Sequence, residues 1–176
     1  MILFRECDRR FPFLGETANQ PAARWHADGE GPAQYLADTP SGAWAEFLRH
    51  EGITDEADLA GVERALWAVE VPVDAILFGV PALPPKTAFG NVSSYPKCQA
   101  EATRLRAGGA QGVRAKSAAL LPGGAAGWIV DGGEKDAAAR DGEVFVVFGR
   151  RPDCVGWPVV EAGRPPARVL PRVRKL

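Results

Sequence analysis

A chain of 176 residues with 46% hydrophobic content is sized for one domain with a substantial core. Its formal net charge of −1 supplies no global field toward nucleic acid or an anionic membrane, and neither is expected as a partner. Twenty glycines and fifteen prolines argue for many turns and short elements and against a bundle of long helices.

Ile2 to Glu6 reads as a first strand, followed by a polar, turn-rich segment to about Ala23. Ala33 to Ala37, carrying Tyr35, reads as a short second strand. Thr39-Pro40 places a capping residue before a proline at the first helical position, and a helix is expected from Ser41 to His50 with Gly52 just past its end. On it Ala43, Trp44, Phe47 and Leu48 form two (i, i+4) apolar pairs, so one face is buried. Thr54-Asp55-Glu56 opens a shorter helix. Ala65 to Val71 and Ala75 to Val80 read as strands, and Pro81 to Pro85 as a break. Ser94 is expected to cap a helix from Tyr95 to Ala107 that ends at Gly108-Gly109. Strands follow at Gly112 to Lys116, Gly127 to Val130, Glu143 to Phe148 and Trp157 to Glu161. Two to three helices among six or more strands predict a single α+β domain with a mixed sheet over residues 1–176. The arginines and Lys175 of residues 163–176, interleaved with Pro165, Pro166 and Pro171, read as a solvated basic tail.

The three cysteines, Cys7, Cys98 and Cys154, are widely spaced and odd in number, and only His26 and His50 accompany them. Reduced thiols in a cytoplasmic protein, and no metal site, are the expectation. Both histidines read as surface or satisfied side chains. Charges at Arg5, Glu6, Asp8, Arg9 and Arg10 leave no signal-peptide core. The longest uncharged stretch, Ser117 to Val130, is broken by Pro122 and glycines and is too short to span a bilayer.

Few residues suggest chemistry by themselves. Arg24, beside Trp25 and before a glycine-containing turn, offers a planar charged fork suited to phosphate or carboxylate, although most such arginines are solvated. Glu46 sits at the edge of the apolar helix face, where its ordinary role is to pair with Arg49 or His50 for ~0.3 kcal/mol. Ser117 ends a strand, with no His-Asp pair in view to make it a nucleophile. Tyr35 is as easily an inward strand aromatic as a ring that stacks on a ligand. Gly109, Gly112 and Lys116-Ser117 superficially suggest a P-loop, but Ala115 stands where glycine must precede the lysine. Leu121 to Gly127 leads into a strand and not a helix, so it is no dinucleotide fingerprint.

As an ordered set these residues say more. Phe4-Arg5, Ala23-Arg24-Trp25, Gly31 to Ala37 with Tyr35, Ala43 to Glu46, Tyr95 to Gln99, Gly108 to Gly112 and Ser117-Ala118 together resemble the RES-domain family, from residue 4 to about 150. The resemblance implies a compact fold similar to that of the ADP-ribosyltransferase toxins. It implies an enzyme that cleaves the nicotinamide–ribose bond of NAD with water or inorganic phosphate as acceptor, NAD being substrate and no cofactor being required. It implies catalytic Arg24, Glu46 and Ser117, with Arg24, Tyr35 and Ser117 binding substrate, and a separately encoded protein antitoxin as partner. Transfer of ADP-ribose to a macromolecule and a non-catalytic partner-binding domain are the alternatives. This chain departs from the family pattern at Ala22-Ala23, where glycines are common, at His26, where asparagine or serine is common, and at Lys116, where proline usually precedes the serine.

Overall fold

The computed structural model describes residues 1–175. In chain order the strands and helices are β1 (Ile2–Cys7), β2 (Ala33–Ala37), α1 (Pro40–His50), β3 (Arg64–Glu70), β4 (Phe78–Gly79), α2 (Pro85–Ala88), α3 (Tyr95–Ala107), β5 (Gly112–Lys116), β6 (Trp128–Val130), β7 (Glu134–Asp136), β8 (Glu143–Phe148) and β9 (Val155–Gly163). Seven of them form one mixed sheet in the order β4-β5-β8-β2-β1-β3-β9, antiparallel except for the parallel β4–β5 pair. This is the expected α+β class, with α1 and α3 as the two main helices.

Strand alternation divides the core. Ala33, Tyr35 and Ala37 of β2 stand in register with Phe148, Val146 and Val144 of β8 on one face. That face carries both helices. α1 packs Ala43, Trp44, Ala45 and Leu48 against Ala37, Leu66, Ala119 and Leu120, while α3 packs Cys98 and Ala102 against Trp25, Val113 and Val146. The opposite face holds Leu3, Leu36, Val69, Phe145 and Val147 beneath the segments bearing Phe13 and Ile76.

The sheet is nearly split. β1 pairs with β3 along its whole length, and β2 with β8 along its whole length, but β1 and β2 meet at the single pair Phe4–Ala37. Beyond that point side chains stand in for the missing ladder: Arg5 Nη1 donates to Gln34 Oε1 at 3.0 Å, and fully buried Gln34 also accepts from the Gly15 amide.

α1 begins where Thr39-Pro40 predicts, with the Thr39 hydroxyl accepting from the Gly42 amide. Several expectations need correction. Ala75 to Val80 contributes only the two-residue edge strand β4 after a 3₁₀ turn at Val73–Ala75, and Leu77 and Val80 are exposed. The expected break at Pro81 to Pro85 holds for residues 81–84 and is one residue too long, since Pro85 already opens the one-turn helix α2. Ser94 does not cap α3. It already has helical dihedrals at the end of a 3₁₀ turn, Val92–Ser94, whose own cap is Asn91. β6 lies outside the main sheet, in a ribbon with β7, which is charged and exposed and gave no strand signal. The basic tail is docked: Ala167–Arg172 forms a 3₁₀ helix that buries Val169, and Arg172 and Arg174 donate to the carbonyls of Ala126 and Leu120. Apolar contact from Val169 outweighs the solvating tendency of its charged neighbours.

Candidate active site

Between α1 and α3, above the point where β1 and β2 diverge, lies a cavity of about 770 Å³. Its walls include Arg24, Tyr35, Glu46, Arg49, Tyr95 and Lys116. The volume falls in the range of small-molecule pockets, and the few polar groups converge from five different segments.

Glu46 enters this space from α1. Its neighbours Ala45 and Leu48 are fully buried, which fixes the rotation of the helix and leaves Glu46 half-buried at the cavity wall. Ser117, just past the end of β5, donates to Glu46 Oε1 at 3.0 Å. The same hydroxyl accepts from the amides of Ala119 and Leu120, both at 3.2 Å, so its one hydrogen and both lone pairs are committed. Ser117 is 5% exposed, and its amide donates to the Gly142 carbonyl at 2.8 Å. Gly142 packs closely here, and a Cβ at that position would stand 2.7 Å from Leu120 Cδ1 and push that side chain aside. Burial pushes the Glu46 carboxyl above its ordinary value, while the Ser117 hydrogen bond and the charges of Arg24 and Arg49 act the other way.

Arg24 is held by main-chain oxygens. Its Nη1 donates to the Ala88 carbonyl at 2.9 Å and lies 3.4 Å from Ser94 Oγ, and its Nη2 donates to the Gly90 carbonyl at 2.8 Å. The guanidinium sits 4.8 Å from the Tyr95 ring centroid, within cation–π range. Gly90 admits this close approach, since a Cβ there would meet the Lys86 carbonyl and Ser94 Oγ at 2.9 Å.

The turn bearing Arg24 is fixed from two sides. Tyr35 Oη accepts from the Trp25 amide at 2.8 Å and lies 3.1 Å from His26 Nδ1. Gln99, from α3, donates to the carbonyls of Ala23 and His26. His26 is fully buried and not a surface residue, and burial pushes its imidazole down, toward the neutral ring that shares a hydrogen bond with the Tyr35 hydroxyl. Burial pushes the Tyr35 phenol up and keeps it protonated.

The structure therefore brings Arg24, Tyr35 and Glu46 to one cavity, with Ser117 behind Glu46 and not on the cavity wall. Glu46 forms no ion pair with Arg49 or His50 among the described residues; His50 pairs with Glu51 instead. Lys116 forms an ion pair with Asp141 at 2.6 Å, and Ser117 keeps its bond to Glu46 beside it. By sequence alone Arg49 is a local partner for Glu46 and His26 a surface or satisfied side chain. Their buried roles depend on contacts far along the chain, which spacing does not reveal.

A family model described as RES domain matches residues 3–165. No curated protein matches the sequence. Among solved structures, the chain is similar to one from the crystal structure of the M. tuberculosis MbcT-MbcA toxin-antitoxin complex. Identity is 18%, over 91% of this chain and 84% of that chain, with a TM-score of 0.54, which establishes a shared fold. No helix of the described residues is long and apolar enough to cross a membrane.

Proposed function

This chain belongs to the RES-domain family, and from that premise we propose that it cleaves the nicotinamide–ribose bond of NAD, with water or inorganic phosphate as acceptor. One observation supports the reading most: a desolvated carboxylate, Glu46, held by Ser117 in a cavity that also receives the Arg24 guanidinium.

Departure of nicotinamide leaves positive charge on the ribose. A carboxylate at the cavity wall stabilises that charge or accepts a hydrogen bond from the 2′-hydroxyl as it develops. Glu46 takes this role, and water exclusion strengthens it. Arg24 keeps its Nε–H and one Nη2 hydrogen uncommitted among the described contacts, and these serve the pyrophosphate. Tyr35 closes the wall with its ring and fixes the Arg24 turn with its hydroxyl. Ser117 acts by orienting Glu46, its hydrogen-bonding capacity being fully used. On this reading NAD is the substrate, no cofactor takes part, and the protein acts in the cytoplasm as the toxin of a pair neutralised by a separately encoded antitoxin. The likeness to a chain of a toxin-antitoxin complex supports that last assignment.

The test is incubation of the purified protein with NAD, with and without inorganic phosphate, and identification of every product. Free nicotinamide with ADP-ribose or its phosphorylated form is expected. ADP-ribose attached to a protein or nucleic acid would replace cleavage by transfer. Intact NAD under both conditions would leave a partner-binding domain without catalysis.

A further inference from the structure

Arg49 lies one helical turn beyond Glu46, and the chemistry above gives it no task. The residue is 7% exposed, and its guanidinium is divided between two loops. Nη1 donates to the Ala118 carbonyl, and Nη2 to those of Phe89 at 2.8 Å and Gly90 at 3.0 Å. Ala118 follows the serine that holds Glu46, and the Gly90 carbonyl is the same acceptor that Arg24 uses. One side chain thus braces the supports of both charged groups.

Two guanidiniums sharing one carbonyl oppose each other as like charges. Here they also leave Arg49 Nε buried without a partner among the described residues. The surplus positive charge has one carboxyl to act on. The ionisable groups around Glu46 are Arg24 from the turn after β1, Tyr35 from β2 and Arg49 from its own helix, with Tyr95 from α3 next to both arginines and Arg174 of the C-terminal segment acting on Arg49.

We propose that Arg49 is a positioning residue of the cleft: its planar fork locks the Ser117 turn against the 88–90 loop, and its charge joins that of Arg24 in facing Glu46. The inference rests on the NAD-cleaving reading for its kinetic consequence but not for its electrostatic one.

The test compares the full chain with Arg49→Lys and Arg49→Gln, measuring kcat and KM against pH, and following the Glu46 carboxyl by ¹³C resonance without NAD. Lysine keeps the charge but cannot span Ala118 and Gly90 at once. Its kcat should fall on the order of tenfold to a hundredfold, with KM and the acid limb of the profile little changed. Glutamine should lower kcat further and carry both the acid limb and the Glu46 titration to higher pH. Wild-type kcat in Arg49→Lys would overturn the clamp. An unmoved Glu46 titration in Arg49→Gln would overturn the electrostatic role. Should the glutamine variant not fold, kcat of the lysine variant decides alone. Should the wild type leave NAD intact, the function proposed above fails, and the Glu46 resonance still decides this one.

Discussion

On the α1 wall of the cleft Glu46 is oriented by one hydroxyl, whereas across from it Arg24 rests on main-chain carbonyls at residues 88 and 90. Ser117 can be deleted by a single substitution, but a carbonyl cannot be removed by changing its side chain. The first wall is therefore sensitive to the identity of one residue. The second is sensitive to backbone shape, which here means the space around Gly90. Two groups proposed to serve one reaction are kept in place by supports of different vulnerability.

The largest expected effect is at Glu46. Glu46→Gln should lower nicotinamide release on the order of a hundredfold to a thousandfold, since the charge that faces the developing cation is gone. Its stability should change in an informative direction. The folded carboxyl titrates above its ordinary value of 4.5, so the native state keeps a proton that the unfolded chain gives up. That contribution is full below pH 4.5 and is lost as pH rises from there through the raised value. Denaturant unfolding of the glutamine variant across this window should lack the decline. An equal decline in both proteins would mean that Glu46 is not the desolvated group.

Ser117→Ala comes next. It strands the amides of Ala119 and Leu120 together with Glu46 Oε1, a cost of ~1–3 kcal/mol by urea unfolding. The carboxylate loses a stabilising donor, so the acid limb of the activity profile should move to higher pH. Gly90→Ala should strike the opposite wall. A Cβ pressed against the Lys86 carbonyl and Ser94 costs ~1–3 kcal/mol and displaces the oxygen shared by Arg24 and Arg49. KM should rise in this variant and kcat should fall as in Arg49→Lys, without movement of the acid limb, because both guanidiniums keep their charge. An acid limb that moves in both variants would mean that the two walls do not differ in this way.

The smallest effect is expected at the family departure beside Ser117. Lys116 and Asp141 form an exposed pair, and such pairs contribute little. Lys116→Ala should leave release within about twofold and the melting temperature unchanged.

Local signals carried far in this chain. The Thr39-Pro40 cap located α1, and runs of branched and aromatic residues located β3 and β8, because capping and strand propensity act over a few neighbouring residues. Arg24, Tyr35 and Glu46 were legible as an ordered pattern. Their supports were not. Arg49 reaches carbonyls 40, 41 and 69 residues away, and no side-chain type announces a carbonyl as its partner. Ser117 was visible as a residue, yet its placement behind Glu46 depends on how β5 meets the turn after it. The docked C-terminal segment was hidden by composition, since one buried valine among prolines and arginines leaves no periodic trace.

The single Phe4–Ala37 pair has a mechanical consequence. A continuous sheet resists sliding because many rungs must break at once. Across this seam there is one rung and one side-chain tie, Arg5 to Gln34. What joins the two half-sheets there is side-chain packing, since Leu3 and Val69 on one side and Leu36, Phe145 and Val147 on the other share one core cluster. The floor of the cavity, where Phe4, Leu36 and Ala37 lie, is therefore held by apolar packing and a single rung, while each half keeps its own ladder.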